Sequence, residues 1–203
     1  ADLLSWADTV LGEADSGVSV DALAAVLVHS RHLQTLARRH QHTIVPILQE
    51  QGAAIVTAAC DELRTTTPTI KDETAMMRAI RQLRQRSALA VALSDLTTKV
   101  DVATQMQWLS SAAETAVRAT VRFLFDRAAG LGQCPPPTED MADCGWIILA
   151  LGKLGASELN YSSDIDLIIL HDPDSTPLFA PNEAQQFYVE QTRALVRLLS
   201  QNT

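Results

Sequence analysis

The spacing of apolar residues predicts that most of the chain before residue 130 is helical. Between residues 5 and 129, apolar side chains recur at intervals of three and four, which places them along one face of a helix. The longest such stripe follows Asp101, a predicted N-cap. Its members are Val102, Met106, Leu109, Ala113, Val117, Val121 and Leu124. This pattern predicts a buried helix face and not a cofactor site.

Turn and capping residues divide the same region into separate helices. Residues 17–20 interrupt the first segment, and Asp21 is predicted to cap the next helix. Pro46 is expected in the first turn of a helix over residues 47–63, where its missing N–H costs nothing. Residues 65–68 are predicted to form a loop.

The following helix is predicted to begin at an N-cap pair, Thr69 and Asp72. Its apolar positions follow helical spacing, and its other face carries Arg78, Arg81, Arg84 and Arg86. The simpler interpretation is a solvated face, because charged surface positions rarely need a special explanation. The alternative is a docking face for an acidic partner or a nucleotide phosphate.

Two short apolar runs, residues 146–151 and 165–170, predict a pair of strands joined through a glycine turn. Glycines and three consecutive prolines exclude regular structure over residues 131–144, which we interpret as a linker after a helical region, 1–130. Asn182 and Gln185 are expected to cap a final helix. Together these elements predict an α+β fold.

Two acids at the start of the second run carry the candidate chemistry. Asp164 and Asp166 stand two positions apart, so on a strand their side chains point the same way. Paired carboxylates suit Mg²⁺, which takes oxygen ligands and shares its shell with water and substrate phosphates. Gly152 and Gly155 permit a sharp turn whose N–H groups approach a phosphate closely. A helix beginning near Ser157 would add favourable potential for the same anion.

Composition narrows the class of protein. The formal charge of −8 and the pI near 5.0 argue against general nucleic-acid binding, which requires a basic face. No stretch approaches 18 continuous apolar residues, so no membrane span is expected. The three cysteines lack zinc-like spacing and are expected to be free thiols in a reducing cytoplasm: Cys60, Cys134 and Cys144.

Three other chemistries fit the sequence less well. Gly152-Lys153 lacks the flanking residues of a P-loop. The histidines between residues 29 and 42 have no nearby cysteine or paired acid to complete a zinc site. Ser162 and Ser163 have no indicated His/Asp partners, so they are interpreted as turn residues or phosphate contacts.

The motif as a whole resembles a known family. The spacing Gly152-x11-Asp164-x-Asp166 is similar to the nucleotidyltransferase signature of the polymerase-β-like superfamily. Bifunctional glutamine synthetase adenylyltransferase/adenylyl-removing enzymes carry two such domains. The second copy in that family tends to read Glu-Leu-Gly-Tyr-Gly-Ser-Asp-Leu-Asp. Residues 158–166 resemble the first, adenylyl-removing copy: Glu158-Leu159-Asn160-Tyr161-Ser162-Ser163-Asp164-Ile165-Asp166. Ala156 departs from the family, where a second glycine is usual.

The resemblance implies a fold, a site and a reaction. Residues 145–203 would be the first strands and a helix of a polymerase-β-like mixed sheet, with Asp164 and Asp166 as catalytic ligands of Mg²⁺. The implied nucleotide and phosphate contacts are Gly152, Lys153, Gly155 and Ser163. For Lys153 a solvent-facing role is an equal alternative. The superfamily also places a third carboxylate on a later strand; none is apparent here, so we expect an incomplete catalytic core.

The implied reaction is phosphorolysis of adenylyl-tyrosine on glutamine synthetase, which releases ADP under control of the uridylylated PII signal protein. Two alternatives stay open. One is adenylyl transfer from ATP to the same tyrosine, and the other is a non-catalytic fragment that binds nucleotide or a partner. Asp172 and Asp174 also read as a pair of acids, but they flank a proline and are predicted to be loop residues.

Overall fold

A computed structural model describes residues 3–12, 18–97, 100–138, 141 and 144–200. The helices are α1 (Leu3–Leu11), α2 (Val20–Val28), α3 (Arg31–Arg39), α4 (Ile44–Pro46), α5 (Gly52–Thr66), α6 (Glu73–Thr97), α7 (Val102–Gly130), α8 (Gly152–Gly155) and α9 (Ala184–Ser200). The strands are β1 (Trp146–Ala150) and β2 (Leu167–His171), which form an antiparallel sheet. These elements confirm the predicted α+β class.

The long helices α5, α6 and α7 pack against one another, and α9 lies against α6 and α7. Aromatic contacts join the sheet to this helical core. Phe125 of α7 lies with its ring centre 6.1 Å from that of Trp146 on β1 and 5.7 Å from that of Phe187 on α9. The buried core therefore continues from the helices to the inner face of the sheet. This packing holds the β1–β2 pair against α7.

The sheet has one packed face and one open face. Trp146 is buried and Ile148 is partly buried against the core, whereas the alternate apolar side chains are 42% to 51% exposed. Those exposed residues are Ile147, Leu149, Leu151, Ile168 and Leu170. Successive strand residues point to opposite faces, and the antiparallel register pairs Ile147 with Leu170 and Leu149 with Ile168. The exposed side chains of the two strands therefore lie on the same face of the sheet. The open face leads directly to the acid pair.

The caps of α2 and α6 differ from those predicted. Ser19 caps α2, because its side-chain oxygen accepts a hydrogen bond from the N–H of Ala22, and Asp21 lies inside the first turn. Asp72, without Thr69, caps α6 by accepting from the N–H of Ala75 at 2.8 Å. Residue 17 of the predicted break lies outside the described residues.

Two other caps have different outcomes. The predicted cap Asp101 is confirmed, since its carboxylate accepts from the N–H of Thr104 at 2.9 Å. The predicted cap Asn182 is wrong. It lies in a 3₁₀ turn, Pro181–Glu183, and α9 begins after that turn.

The helix predicted over residues 47–63 is interrupted. Residues Ile47–Gln51 form a wide turn in which Glu50 adopts a left-handed conformation, with φ +63°, and α5 begins only at Gly52. The interruption brings Gly52 close to its neighbours: a Cβ there would lie 2.6 Å from Ser94 Oγ and 3.1 Å from the Trp108 ring. Close packing of α5 on α6 and α7 therefore decides this boundary.

The loop predicted at residues 65–68 is also wrong. Helix α5 continues through Thr66 and passes into a 3₁₀ turn, Thr67–Thr69. The hydroxyl of Thr66 donates to the carbonyl of Glu62 at 2.7 Å, and that of Thr67 donates to the carbonyl of Leu63 at 2.6 Å. These local bonds occupy the threonine hydroxyls without opening the helix.

Among the described residues, no helix is both long and apolar enough to cross a bilayer.

An ion cluster joins the start of α6 to α7 and α9. Glu73 accepts hydrogen bonds from Arg197 at 2.9 Å and from Arg127 at 2.6 Å. The hydrogen bond from Arg197, supported by that from Arg127, lowers the pKa of Glu73 from its ordinary value of 4.5. The side chain of Glu73 is only 26% exposed, so solvent screens this cluster less than a typical surface pair.

We expect Glu73→Gln to reduce the free energy of unfolding by about 1 kcal/mol at pH 7. Because the folded-state pKa is lowered, this contribution is present above pH 4.5 and is lost as the pH falls through the folded-state pKa. Urea unfolding of the variant and the original chain should therefore converge in acid. Glu183→Gln, at an exposed position, is the control. A difference that stays constant with pH would contradict this account.

Candidate functional site

The glycine turn after β1 has a geometry that side chains would disturb. Gly152 begins α8 with φ +53°, a left-handed conformation that favours glycine. Gly155 ends α8 against the strand, and a Cβ there would lie only 2.5 Å from the carbonyl oxygen of Ala150. The chain therefore folds back on the end of β1 at a distance that glycine permits.

Asp166 lies beside this turn. Its carbonyl oxygen accepts from the N–H of Leu151 at 2.9 Å, which extends the strand pairing beyond β1. A Cβ on Gly152 would be 3.7 Å from Asp166 Oδ2, so the carboxylate lies against the start of α8. The structure thus brings Gly152 and Asp166 together, although they are distant in sequence.

Asp164 is placed on the same side as Asp166. From Ser163 to His171, partly buried and exposed residues alternate strictly, and both acids fall on the exposed positions. They therefore share the open face with Ile168 and Leu170. Both acids precede β2, which begins at Leu167 and not at the predicted Ile165.

The donor set of the two acids fits Mg²⁺. Within the described part of the chain, no cluster of three or more His, Cys, Asp or Glu side chains could enclose a metal. Two exposed carboxylates leave most of a coordination shell to water and substrate, which is the arrangement that Mg²⁺ favours. A closed zinc site would require four ligands.

Asn160 organises the loop that leads to the acids. Its Oδ1 accepts from the N–H of Ser162 at 3.3 Å and from the hydroxyl of Ser163 at 2.5 Å. Its carbonyl accepts from the N–H of Ser163 at 3.2 Å. Sequence reasoning assigned Asn160 no role. The sequence does contain a signal for this role, because an asparagine side chain often bonds to the backbone two residues later and so forms a turn.

The same loop is anchored to the helical region. Leu159 is buried, and its N–H donates to the hydroxyl of Ser110 on α7 at 3.1 Å. The helix expected near Ser157 does not form. Ser157 instead has φ +59°, and the N–H of Glu158 donates to the carbonyl of Lys153 at 2.7 Å. That bond closes the turn before a helix could propagate, while the Lys153 side chain is exposed.

A cavity of about 830 Å³ lies between this loop, α6 and α7. The loop contributes Tyr161, Ser163 and Asp164 to its wall, and α6 contributes Arg81 and Arg84. Partial burial raises the pKa of Tyr161, so its hydroxyl stays protonated at neutral pH. From the sequence, the arginine face was either solvated or a docking face for an acidic partner or a nucleotide phosphate. The structure places two of its members, Arg81 and Arg84, at this cavity.

A family model described as glutamate-ammonia ligase adenylyltransferase matches residues 20–203. The chain belongs to this family. The resemblance stated from the motif around Asp164 and Asp166 is therefore confirmed over nearly the whole chain.

Curated relatives in the adenylyltransferase family carry a similar segment. A bifunctional glutamine synthetase adenylyltransferase/adenylyl-removing enzyme from Bradyrhizobium diazoefficiens is 34% identical over 183 residues, covering 89% of this chain and 18% of the relative. Its namesake from Mesorhizobium japonicum is 33% identical over 195 residues, covering 94% and 20%. That from Xanthobacter autotrophicus is 42% identical over 135 residues, covering 64% and 13%. The chain spans a fifth or less of the length of these relatives.

Proposed function

We propose that this segment belongs to the catalytic site that removes AMP from adenylylated glutamine synthetase. The observation that carries the proposal is the exposed pair Asp164 and Asp166, held on one face beside the glycine turn Gly152–Gly155. Two acids on one face next to a close backbone turn suit the binding of a phosphoryl group with a divalent cation. The bifunctional names of the relatives agree with this chemistry.

The direction of the reaction is supported by the loop. The bond from Ser162 N–H to Asn160 Oδ1 depends on the Asn side chain, and Ser163 uses the same acceptor. A copy with glycine at positions 160 and 162, as in the adenylylating domain, would lose the asparagine acceptor. The loop in this chain is thus the form that we assign to the adenylyl-removing reaction.

In the proposed reaction, a phosphate oxygen forms a bond to the phosphorus of the adenylyl group. The bond from that phosphorus to the tyrosine oxygen breaks, and the phenolate takes up a proton. The products are ADP and tyrosine. The backbone at Gly152 and Gly155 approaches the phosphates, Ser163 can offer its hydroxyl after exchange of its present partner, and Lys153 extends a positive charge into solvent nearby.

Asp164 and Asp166 would hold Mg²⁺. When bound, this ion neutralises negative charge on the phosphoryl oxygens during in-line displacement. The two carboxylates would supply the protein's share of its ligands, since both are exposed on the same face. Their position also keeps the phosphate near the backbone at Gly152.

Glutamine synthetase is the expected protein substrate, because the relatives are named for it. The resemblance of the motif extends this proposal in three ways. The controlling partner would be uridylylated PII, the ligands would be ADP and phosphate, and the location would be cytoplasmic. These assignments concern a complete enzyme of this family. The matched relatives are several times longer than this chain.

The deciding experiment measures phosphate-dependent release of ADP from adenylylated glutamine synthetase. The assay compares this chain with an extended protein, in which the segment is followed by the remainder of the family's sequence. ADP release by the extended protein, dependent on phosphate and Mg²⁺, is the expected result. Transfer of labelled AMP from ATP without any phosphorolysis would replace the proposal by the reverse reaction. If neither reaction occurs with glutamine synthetase and uridylylated PII present, the result would favour a non-catalytic binding fragment.

A further inference from the structure

We propose that Arg81 and Arg84 of α6 bind a phosphate group of the ligand in the cavity that reaches Asp164. This inference rests on the proposed function for its ligand class, and it adds a cationic wall that the motif does not contain. The shared chemistry is a phosphate anion, supplied either as inorganic phosphate or as part of a nucleotide.

The two arginines are suitably placed on the helix. Positions 81 and 84 are three apart, so their side chains lie on neighbouring parts of one helix face. Arg81 is half-buried, with its Nε atom shielded from solvent, whereas Arg84 is exposed. Both side chains line the cavity. The wall therefore combines one partly buried guanidinium with one that is exposed.

The other arginines of the same helix do not contribute to this cavity. Arg86 forms a salt bridge with Glu62 at 2.5 Å, and neither Arg78 nor Arg86 is among the residues that line the cavity wall. The arginine face predicted from the sequence thus divides into two members at the cavity and two members away from it. Arg78, which is exposed, is a matched control on the same helix.

Electrostatics explains why such a wall would be needed. Asp164 is among the residues that line the cavity, and a carboxylate repels an approaching phosphate. Guanidinium groups offset that repulsion and bind phosphate oxygens through two parallel N–H bonds. The phosphate would then be held by the arginines of α6 in the cavity that Asp164 also lines.

The rest of the cavity suits an organic group attached to the phosphate. Apolar side chains of α6 and α7, including Ile80, Leu109 and Ala112, line it together with Tyr161. A volume of about 830 Å³ lies in the range of small-molecule pockets. A nucleotide could thus place its base or sugar against the apolar part and its phosphates against the arginines.

The test titrates this chain with three probes, inorganic phosphate, ADP and adenosine, without added metal, and follows ¹⁵N-labelled amides by NMR. Shifts of the amides of residues 159–165 are expected with phosphate and with ADP. We expect Arg81→Gln and Arg84→Gln each to weaken binding of ADP about tenfold, and Arg78→Gln to change it by less than about twofold. Arg84→Lys should lie between these values, because it keeps the charge but loses the paired donors.

The probes separate the sources of the phosphate. Arginine-dependent binding of both phosphate and ADP assigns the wall to any phosphate, whereas dependence seen with ADP alone assigns it to the nucleotide; either result supports the site. Equal affinity for adenosine and ADP would overturn it. Equal weakening by Arg78→Gln would also overturn it, because the effect would then be that of overall charge. Failure of both phosphate and ADP to bind at these amides would have the same meaning.

This result is independent of the test of the proposed function. Arginine-dependent binding of ADP by this chain, without ADP release by the extended protein, would retain the phosphate site and reject the reaction. ADP release that is unaffected by Arg81→Gln and Arg84→Gln would retain the reaction and reject the site. Thermal unfolding of each variant checks that the fold is preserved, and Arg84 is exposed enough for its replacement to be tolerated.

Discussion

Asp166→Asn is expected to reduce ADP release by the extended protein at least about 100- to 1,000-fold. Asparagine has nearly the shape of aspartate, but it lacks the charge that would hold Mg²⁺ beside the phosphates. The backbone carbonyl of residue 166 should still accept the hydrogen bond from Leu151, so the strand pairing is preserved. The measurement is the initial rate of phosphate-dependent ADP release at saturating adenylylated glutamine synthetase.

Asp174→Asn is the matched control for this loss. Asp174 is an exposed acid in the turn after β2, where Asp172 accepts hydrogen bonds from the N–H of Asp174 and from the hydroxyl of Ser175. These bonds confirm the prediction that Asp172 and Asp174 are loop acids. They also lower the pKa of Asp172, with the bond from Ser175 as the largest cause. Equal losses from Asp166→Asn and Asp174→Asn would contradict a specific role for Asp166.

The second large effect is expected from Gly155→Ala. A Cβ at this position would lie 2.5 Å from the carbonyl oxygen of Ala150, and because that atom belongs to the backbone, β1 or α8 must shift. Overpacking of this kind costs about 1–3 kcal/mol, so the urea midpoint should fall by the corresponding amount. The shift would also move Gly152 relative to Asp166 and lower the activity of the extended protein.

Gly130→Ala provides the comparison for this substitution. Gly130 is the last residue of α7, and a Cβ there would meet no atom within 4 Å. Alanine at this helical position should leave the free energy of unfolding unchanged or raise it by about 0.5–1 kcal/mol. Similar destabilisation by both substitutions would show that contact with Ala150 is not the cause.

Local patterns in the sequence were sufficient to predict the two strands next to the acids. The apolar runs over residues 146–151 and 165–170 predicted the strand pair, because a short apolar run beside a glycine turn is a local signal. The spacing of Asp164 and Asp166 likewise predicted that they share a face, and the exposure pattern along residues 163–171 agrees with this. Their roles as metal ligands stay a prediction, as does the division of the chain at residues 131–144.

The start and end of individual helices were less predictable. Ser19 and Asp21 are both good caps, and the sequence alone does not state which oxygen will reach a free N–H. At Thr66 and Thr67 the hydroxyls bond to helix carbonyls, which reversed the expectation of a loop. Helix α5 begins at Gly52, where Ser94 and Trp108, residues far along the chain, approach the backbone closely.

The sequence by itself determined the family, the α+β class and the acids on which the proposed chemistry depends, because each is written in a short, continuous motif or a regular apolar spacing. Only the tertiary structure placed Asp166 against Gly152 and brought Arg81, Arg84 and Asp164 to the wall of one cavity. Such contacts join residues distant in the chain. They follow from how α6, α7 and the sheet bury their apolar faces together, and local spacing carries no record of that packing.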